Sequence, residues 1–208
     1  VYKIHYKRIK NCYLRVEKGE VVIRCSPLFS QSEIEKLIRN HQEEILEQIK
    51  GYVPKYNYQE DGYVYLFNQK YQIVLKDMNI KKCAIHDRQI YVYSKNIQAT
   101  IEMFLKQELM NYLKERIDFY LSTSFHHVFP EIQIKKMKRR WGACFYQKNR
   151  VCFNLVLAHI DYALIDYVIV HELCHFLEAN HSKAFYHEIE KRMPDYKERE
   201  RLLKDVGI

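Results

Sequence analysis

The sequence lacks any apolar run of the roughly 18 or more residues that a helix needs to cross a bilayer. Residues 1–10 are charged and aromatic, unlike the apolar segment of a secretory signal. Internal repeats and low-complexity segments are missing too. These absences exclude a membrane-spanning protein, and we expect a soluble protein located in the cytoplasm.

Paired cysteine motifs are also absent. The chain has 6 cysteines among its 208 residues, and no two of them form a Cys-x-x-Cys pair. This excludes finger-like zinc modules. A chain of this length buries enough surface to fold without disulfides, so we expect free thiols in a reducing compartment.

The composition is that of a globular protein with a basic surface. Hydrophobic residues make up 48% of the chain and charged residues 29%, which allows a buried core and excludes wholesale disorder. The formal net charge is +8. Such an excess favours anionic partners, although many basic proteins bind no nucleic acid.

The first half of the chain alternates strand-like runs with turns, and one helix interrupts it. The strand-like runs occupy residues 2–9, 13–16, 21–25, 63–67, 71–75, 83–85 and 90–93. Ser30 and Glu33 have the spacing of a capping box, which predicts a helix over residues 31–50. We therefore expect residues 1–95 to form a β-rich N-terminal α+β region.

In the second half, the hydrophobic period changes to that of helices. It predicts a helix over residues 97–121, strands over residues 132–140 and 151–157, and two further helices. Asp161 is suited to cap the first of these, which runs to about residue 177, and the other begins near Ser182 and stops before Pro194. We place a domain boundary near residue 95, with a second domain over residues 96–208.

The segment His171-Glu172-Leu173-Cys174-His175 carries the clearest chemical signal. On a helix, residues four apart lie on one face, so the two imidazoles can converge on one metal ion. Glu172, about 100° round the helix, can reach a water molecule on that ion. Zinc suits such a site because it accepts imidazole nitrogen and keeps one position open when the protein supplies three ligands. The alternative is a pair of structural histidines on a half-buried helix.

Zinc needs a third protein ligand, and two residues compete for that position. Glu178 lies on the same helical face as the two histidines, but a further turn along the axis. His181 follows Asn180, where the chain can turn back toward the metal, and it offers the same kind of ligand atom. We favour His181 and keep Glu178 as the alternative.

Four stretches of the second half match a known family in order and in spacing. They are residues 139–144 (RRWGAC), 153–155 (FNL), 166–175 (DYVIVHELCH) and 180–185 (NHSKAF). With them, the chain resembles the YgjP-like family of zinc metallopeptidases, which is similar to the WLM and SprT-like proteases. Ala143 stands where that family usually has Ser, and Cys174 where it more often has Ala. Neither change removes a ligand.

The resemblance implies an α+β fold with a zincin-like catalytic domain, preceded by the β-rich N-terminal region. In such a domain, the helix that starts at Ile97 backs the site and a small sheet lies above it. The helix that carries His171 and His175 lies below the site. The resemblance extends mainly over residues 130–196, and the first half matches more loosely.

Three further residues are candidates for substrate contact: Trp141, Asn154 and Tyr186. Trp141 is alternatively a packing corner beside the cleft, and Asn154 alternatively an ordinary exposed strand residue. Tyr186, or a residue near Trp141, would stabilise the oxyanion. Cys174 is interpreted as a small buried hydrophobe. Five cations in residues 135–140 would divide between the two faces of a strand and form a basic rim of the cleft.

The leading interpretation is a zinc-dependent peptidase that acts on a peptide or protein substrate. Zinc held by His171, His175 and His181 would lower the pKa of its water toward about 7, and Glu172 would accept the proton as general base. The second interpretation is a nucleic-acid-associated protein or protease that acts on partners bound to nucleic acid. The third is a non-catalytic module that zinc stabilises. The sequence leaves the oligomeric state open.

Overall fold

The computed structural model describes residues 2–17, 19–51, 56–78 and 80–206. They form a mixture of helices and strands, which confirms the expected mixed character of the fold. The chain divides into two compact units, Val1–Lys55 and Tyr56–Ile208. This division lies well before the boundary expected near residue 95.

The first unit contains a three-stranded sheet and two helices. Its elements are β1 (Tyr2–Tyr6), β2 (Tyr13–Glu17), β3 (Glu20–Cys25), α1 (Gln31–Asn40) and α2 (Gln42–Gly51). Strand β3 is central, parallel to β1 and antiparallel to β2. Val21, Ile23 and Cys25 of β3 form a small apolar core with Ile34 of α1 and Ile45 of α2.

The helix predicted over residues 31–50 is two helices separated at His41. Its start is as predicted, because Ser30 and Glu33 form the capping box. The backbone leaves the helical region at His41, with φ −115° and ψ 20°. The ring of His41 donates from Nδ1 to the carbonyl of Leu37 at 3.1 Å. That carbonyl is the one which the His41 N–H would use in a continuous α-helix, so the side chain competes with the helix.

The second unit begins with a five-stranded sheet in the order β4-β5-β6-β8-β7. The strands are β4 (Tyr56–Asn57), β5 (Tyr63–Leu66), β6 (Gln69–Leu75), β7 (Lys82–His86) and β8 (Gln89–Tyr93). The two predicted hairpins are present, β5 with β6 and β7 with β8. Phe67 and Asn68 in one turn, and Asp87 and Arg88 in the other, all have positive φ, as a two-residue hairpin turn requires.

Four α-helices follow in the described part of the second unit. They are α3 (Ile97–Tyr120), α4 (Tyr162–Cys174), α5 (Lys183–Arg192) and α6 (Tyr196–Val206). The first three were expected, whereas α6 was not. Among the described residues, no helix is both long enough and apolar enough to span a membrane.

Helix α3 is the centre of the second unit's core. Its completely buried residues recur every fourth position, which makes one apolar stripe: Ile101, Leu105, Leu109, Leu113 and Ile117. Ile73, Ile90 and other residues of the five-stranded sheet belong to the same buried cluster. The sheet therefore shares its core with α3, and this is why the second unit starts near residue 56 and not near residue 95.

Polar contacts tie α4 to α3. Asp166 of α4 receives a bidentate ion pair from Arg116 of α3, with Nε to Oδ1 at 3.0 Å and Nη2 to Oδ2 at 2.7 Å. The hydroxyl groups of Tyr112 and Tyr120 also donate to this carboxylate. One carboxylate with four donors from the neighbouring helix fixes how α4 lies on α3.

A three-stranded sheet lies between α3 and α4 in the sequence. It consists of β9 (Glu131–Lys135), β10 (Gly142–Phe145) and β11 (Arg150–Asn154), in the order β10-β11-β9. Strand β11 is parallel to β9 and antiparallel to β10, so β10 is an edge strand. The strand predicted over residues 132–140 ends at Lys135, and residues 136–141 form a loop.

Candidate active site

Helix α4 carries His171 and Glu172 near its C-terminal end. Asp161 caps its start, and the carboxylate accepts from the Ala163 N–H at 2.8 Å. The helix was expected to run to about residue 177, but it ends at Cys174, and His175 is its C-cap. The chain therefore turns immediately after the second histidine of the motif.

This turn brings a third histidine to the first two. Ser182 caps α5 and so fixes the chain directly after His181. Nε2 of His181 lies 3.0 Å from Nε2 of His171. The ligand atoms of His171, His175 and His181 all lie within 4.8 Å of one another. The structure thus brings together the three residues that the sequence suggested as ligands.

Glu178, the alternative third ligand, approaches the site through its backbone. Its carbonyl oxygen accepts from Nδ1 of His175 at 3.2 Å, which turns Nε2 of that ring toward the other two histidines. Its carboxylate is not part of the group of candidate ligands found among the described residues. The resulting spacing, His-x-x-x-His-x-x-x-x-x-His, equals that of the extended zinc motif of metzincins, with Glu178 at the glycine position.

Burial favours the neutral form of two of the three imidazoles, those of His171 and His175. Burial, with the nearby charges of His175 and His181 as smaller causes, lowers the pKa of His171 to about 3. Burial also lowers the pKa of His175. Neutral imidazole is the form that binds metal. Nδ1 of His171 is buried and has no hydrogen-bond partner among the described residues.

One aromatic ring supports all three histidines. Phe185 of α5 is completely buried. Its ring centroid lies 4.6 Å from that of His175, 4.8 Å from that of His181 and 5.0 Å from that of His171. Phe185 therefore fixes the ring positions by packing and excludes water from one side of the site.

Glu172 is held in a buried position beside the histidines. It is only 5% exposed, and burial raises its pKa above the ordinary value of a glutamate. A hydrogen bond from the Cys144 backbone N–H and the charge of Arg140 act in the opposite direction. The carboxylate therefore has a fixed donor on β10 and a cation nearby.

Glycine at position 142 makes room for this carboxylate. A Cβ on Gly142 would lie 2.5 Å from Oε1 of Glu172, and 2.8 Å from both its Cδ and its Cγ. At that distance the Glu172 side chain would have to shift to admit a Cβ, so glycine at position 142 leaves the carboxylate in its place. The sequence reasoning gave Gly142 no role of its own, although its place in the RRWGAC stretch was a signal.

The three candidates for substrate contact lie in different environments. Trp141 is half-buried and lines the cavity described below. Asn154 is buried, and its side chain bonds to the backbone of Met137, Arg140 and Val156. The ring of Tyr186 lies 6.4 Å from that of His181, centroid to centroid. Only Trp141 of the three lines the cavity; Asn154 positions the loop before β10.

A cavity of about 610 Å³ opens beside the histidines. The three histidines and Glu172 line one part of it, and residues 140–144 line another. Glu200, Leu203 and Lys204 of α6 complete the wall. Sequence reasoning missed α6, although the helical spacing of Tyr196, Leu203 and Val206 was visible in the sequence.

The two cysteines nearest the site are protonated thiols. Burial raises the pKa of Cys174 and that of Cys144 to about 12. Cys174 is completely buried in the apolar core, as the interpretation of this residue as a small hydrophobe expects. Metal binding by cysteine uses the thiolate, which these surroundings disfavour.

The chain is similar to a known protein family and, over less than half of its length, to solved structures of other proteins. The family model described as YgjP-like, metallopeptidase domain, matches residues 10–206. None of the curated proteins matches the chain. Among solved structures, the metallopeptidase zymogen abylysin of Pyrococcus abyssi is 17% identical with a TM-score of 0.42, over 45% of this chain and 94% of that one. The metallopeptidase zymogen jannalysin of Methanocaldococcus jannaschii is 24% identical with a TM-score of 0.40, over 45% and 96%.

Proposed function

Because the chain belongs to the YgjP-like metallopeptidase family, we propose that it is a zinc-dependent peptidase with its active site at the three histidines. In this proposal, His171, His175 and His181 hold the ion and Glu172 is the general base. The substrate is a peptide or protein. The observation that carries the proposal is the convergence of three imidazoles beside a buried carboxylate, in the wall of one cavity.

The chemistry of this donor set fits zinc, and the three ligand atoms lie within 4.8 Å of one another. Tetrahedral ligands about 2.0–2.1 Å from one ion lie about 3.4 Å apart, and the Nε2 atoms of His171 and His181 are 3.0 Å apart. Two nitrogen lone pairs at that distance repel each other unless a proton or a cation lies between them. Three neutral imidazoles with an open fourth position suit zinc better than magnesium or calcium, which prefer oxygen ligands.

When bound, zinc would polarise the scissile carbonyl and lower the pKa of a water molecule. The carboxylate of Glu172 accepts the proton of the attacking water and passes it to the leaving amine nitrogen. The Cys144 N–H holds one side of this carboxylate, and the missing side chain of Gly142 leaves space for it. The hydrogen bond and the space at Gly142 together position the proposed general base.

The architecture around the site supports a zincin-like arrangement. In our proposal, α3 backs the site, the sheet of β9, β10 and β11 lies above it and α4 lies below it. Strand β10 is at the edge of its sheet, and an extended chain can pair with such an edge. We therefore place the substrate backbone along β10 and assign Trp141 to its contact. Asn154 contributes by holding the preceding loop, and Tyr186 stays a candidate for oxyanion stabilisation.

The test combines metal analysis with peptide hydrolysis. Protein purified without chelator should contain one zinc per chain and should cleave members of a mixed peptide library. Glu172→Gln should keep the zinc and the fold but lose hydrolysis, because an amide cannot accept the proton. A Glu172→Gln protein that cleaves like wild type would remove Glu172 from this role. A wild-type protein that holds zinc yet cleaves nothing would favour the non-catalytic module.

A further inference from the structure

The loop that joins β9 to β10 is held in one shape by a buried side chain. Nδ2 of Asn154 donates to the carbonyls of Met137 and Arg140, at 2.8 Å in both cases. Oδ1 of Asn154 accepts from the Met137 N–H at 3.2 Å. Asn154 is only 2% exposed, so solvent does not compete for these bonds. The loop therefore has a defined conformation before any ligand arrives.

This loop presents three successive cations, which we call the cationic triplet: Lys138, Arg139 and Arg140. All three residues are exposed. Among the residues that the structure describes, none of the three has a carboxylate at ion-pair distance, although the charge of Arg140 acts on the nearby Glu172. Like charges held side by side repel one another. Because the loop keeps these charges adjacent, a bound negative group would relieve their repulsion.

One end of the triplet reaches the candidate active site. Arg140 lines the same cavity as His171 and Glu172. Only Trp141 separates Arg140 from Gly142, the residue in contact with Glu172. A chain bound along β10 would pass directly from the reacting groups to the triplet.

We propose that the cationic triplet binds the carboxylates of acidic side chains near the scissile bond of the substrate. The inference rests on the proposed peptidase function and adds the class of substrate, a peptide with aspartate or glutamate close to the cleaved bond. Arginine is suited to this task because its guanidinium binds a carboxylate with two parallel hydrogen bonds. The loop held by Asn154 fixes where those donors lie.

The charges around the loop favour a peptide over a nucleic acid. Lys136 pairs with Glu102 at 2.6 Å, and Arg150 pairs with Glu131 at 2.7 Å. Two nearby cations of this sheet and its loop, at positions 136 and 150, are therefore already neutralised by carboxylates. A duplex carries one charge per about 1.7 Å of its axis and needs a longer basic stripe. A short cluster of three cations matches one or two carboxylates instead.

Binding measurements test the proposal without requiring turnover. Zinc-loaded Glu172→Gln protein is titrated into two pools of labelled short peptides, one rich in Asp and Glu, the other with Asn and Gln at the same positions. Fluorescence anisotropy should show tighter binding of the acidic pool by about tenfold, as expected for one charge-assisted hydrogen bond or more. High salt should reduce the difference, because these charges are exposed.

Charge reversal locates the effect. Adding Lys138→Glu and Arg139→Glu should abolish the preference for the acidic pool. The matched control is Lys106→Glu with Lys114→Glu, which makes the same change of net charge at exposed positions of α3. That control should keep the preference. Equal affinity for both pools in the starting protein, or a preference that survives the reversal of Lys138 and Arg139, would overturn the proposal.

Two more measurements distinguish this proposal from a nucleic-acid site and from a failure of the proposed peptidase function. Labelled duplex DNA is titrated in the same way. If the duplex binds more tightly than the acidic pool, and if Lys138→Glu with Arg139→Glu weakens its binding, the loop is a nucleic-acid site and the proposal fails. Cleavage of a mixed peptide library by wild type should show Asp or Glu enriched near the cut. Acid-selective binding without any cleavage would contradict the peptidase function alone, whereas cleavage without acidic enrichment would contradict the role of the triplet alone.

Discussion

Gly142→Ala should remove catalysis while leaving the metal site intact. The added Cβ would lie 2.5 Å from Oε1 of Glu172. Non-bonded heavy atoms lie about 3.5 Å apart in ordinary contact, so the carboxylate must retreat by about 1 Å. Glu172 is buried and bonded to the Cys144 N–H, so this retreat breaks a hydrogen bond or displaces packed neighbours.

The size of the effect follows from this displacement. A shift of about 1 Å in a reacting group can cost about 100-fold in rate, or about 2.7 kcal/mol in the barrier. The three atoms closest to the new methyl group all belong to Glu172. The histidines therefore need not move, and zinc content should stay at the wild-type value.

The assay compares kcat/KM on one cleaved peptide with zinc content and Tm measured on the same preparations. Ala143→Ser is the control, since it enlarges the neighbouring residue of β10 to the one that the family usually has there; its activity should be close to that of wild type. Wild-type kcat/KM in a folded Gly142→Ala protein would refute the reasoning. So would a loss of zinc that parallels the loss of activity, because the substitution would then act through the metal site.

Three further predictions concern other parts of the second unit. His181→Ala should weaken zinc affinity by more than the roughly 10 to 100-fold typical of residues that only support a ligand. Glu178→Ala should change zinc affinity little, because Glu178 contacts the site only through its backbone carbonyl. Competition with a chelator measures both affinities, and a larger loss in Glu178→Ala than in His181→Ala would make Glu178 the ligand. Asp166→Asn should lower the free energy of unfolding by about 2 kcal/mol, because charged hydrogen bonds from Arg116 are lost; urea unfolding that shows no change would contradict this. Hydrogen bonds from Lys191 and Arg192 lower the pKa of Glu188 from 4.5 to about 2, so its stabilising effect is complete above pH 4.5 and is lost as pH falls toward 2. The Tm deficit of Glu188→Gln at pH 7 should therefore shrink over that window, and a deficit independent of pH would speak against the ion pairs.

The sequence by itself predicted the features that depend on near neighbours along the chain. Asp161 caps α4, and Ser182 caps α5, because a cap bonds to a backbone N–H two or three residues away. The spacing of His171 and His175 placed both imidazoles on one side of a helix end for the same local reason. Even the preference for His181 used a local signal, the polar stretch in which the helix could end.

The sequence-based predictions and the structure differ at a few helix and strand boundaries, where a side-chain contact changes the local structure, and at α6, which was not predicted. The ring of His41 bonds to the Leu37 carbonyl, and the helix predicted over residues 31–50 is interrupted there. The strand expected to reach residue 140 ends at Lys135. Beyond Lys135, the side chain of Asn154 on β11 bonds to the backbone of residues 137 and 140 and holds them in a loop. The apolar spacing of α6 was visible in the sequence and was missed.

The tertiary structure alone decided how Glu172 is enclosed. Gly142 and Glu172 are thirty positions apart in the chain, and only the approach of β10 to α4 makes the missing side chain matter. The same approach gives Glu172 its donor from Cys144, and the packing of α6 closes the cavity with Leu203. Periodicity and spacing describe one segment at a time. Contacts between segments depend on which surfaces the hydrophobic core brings together, and here that core is organised by α3.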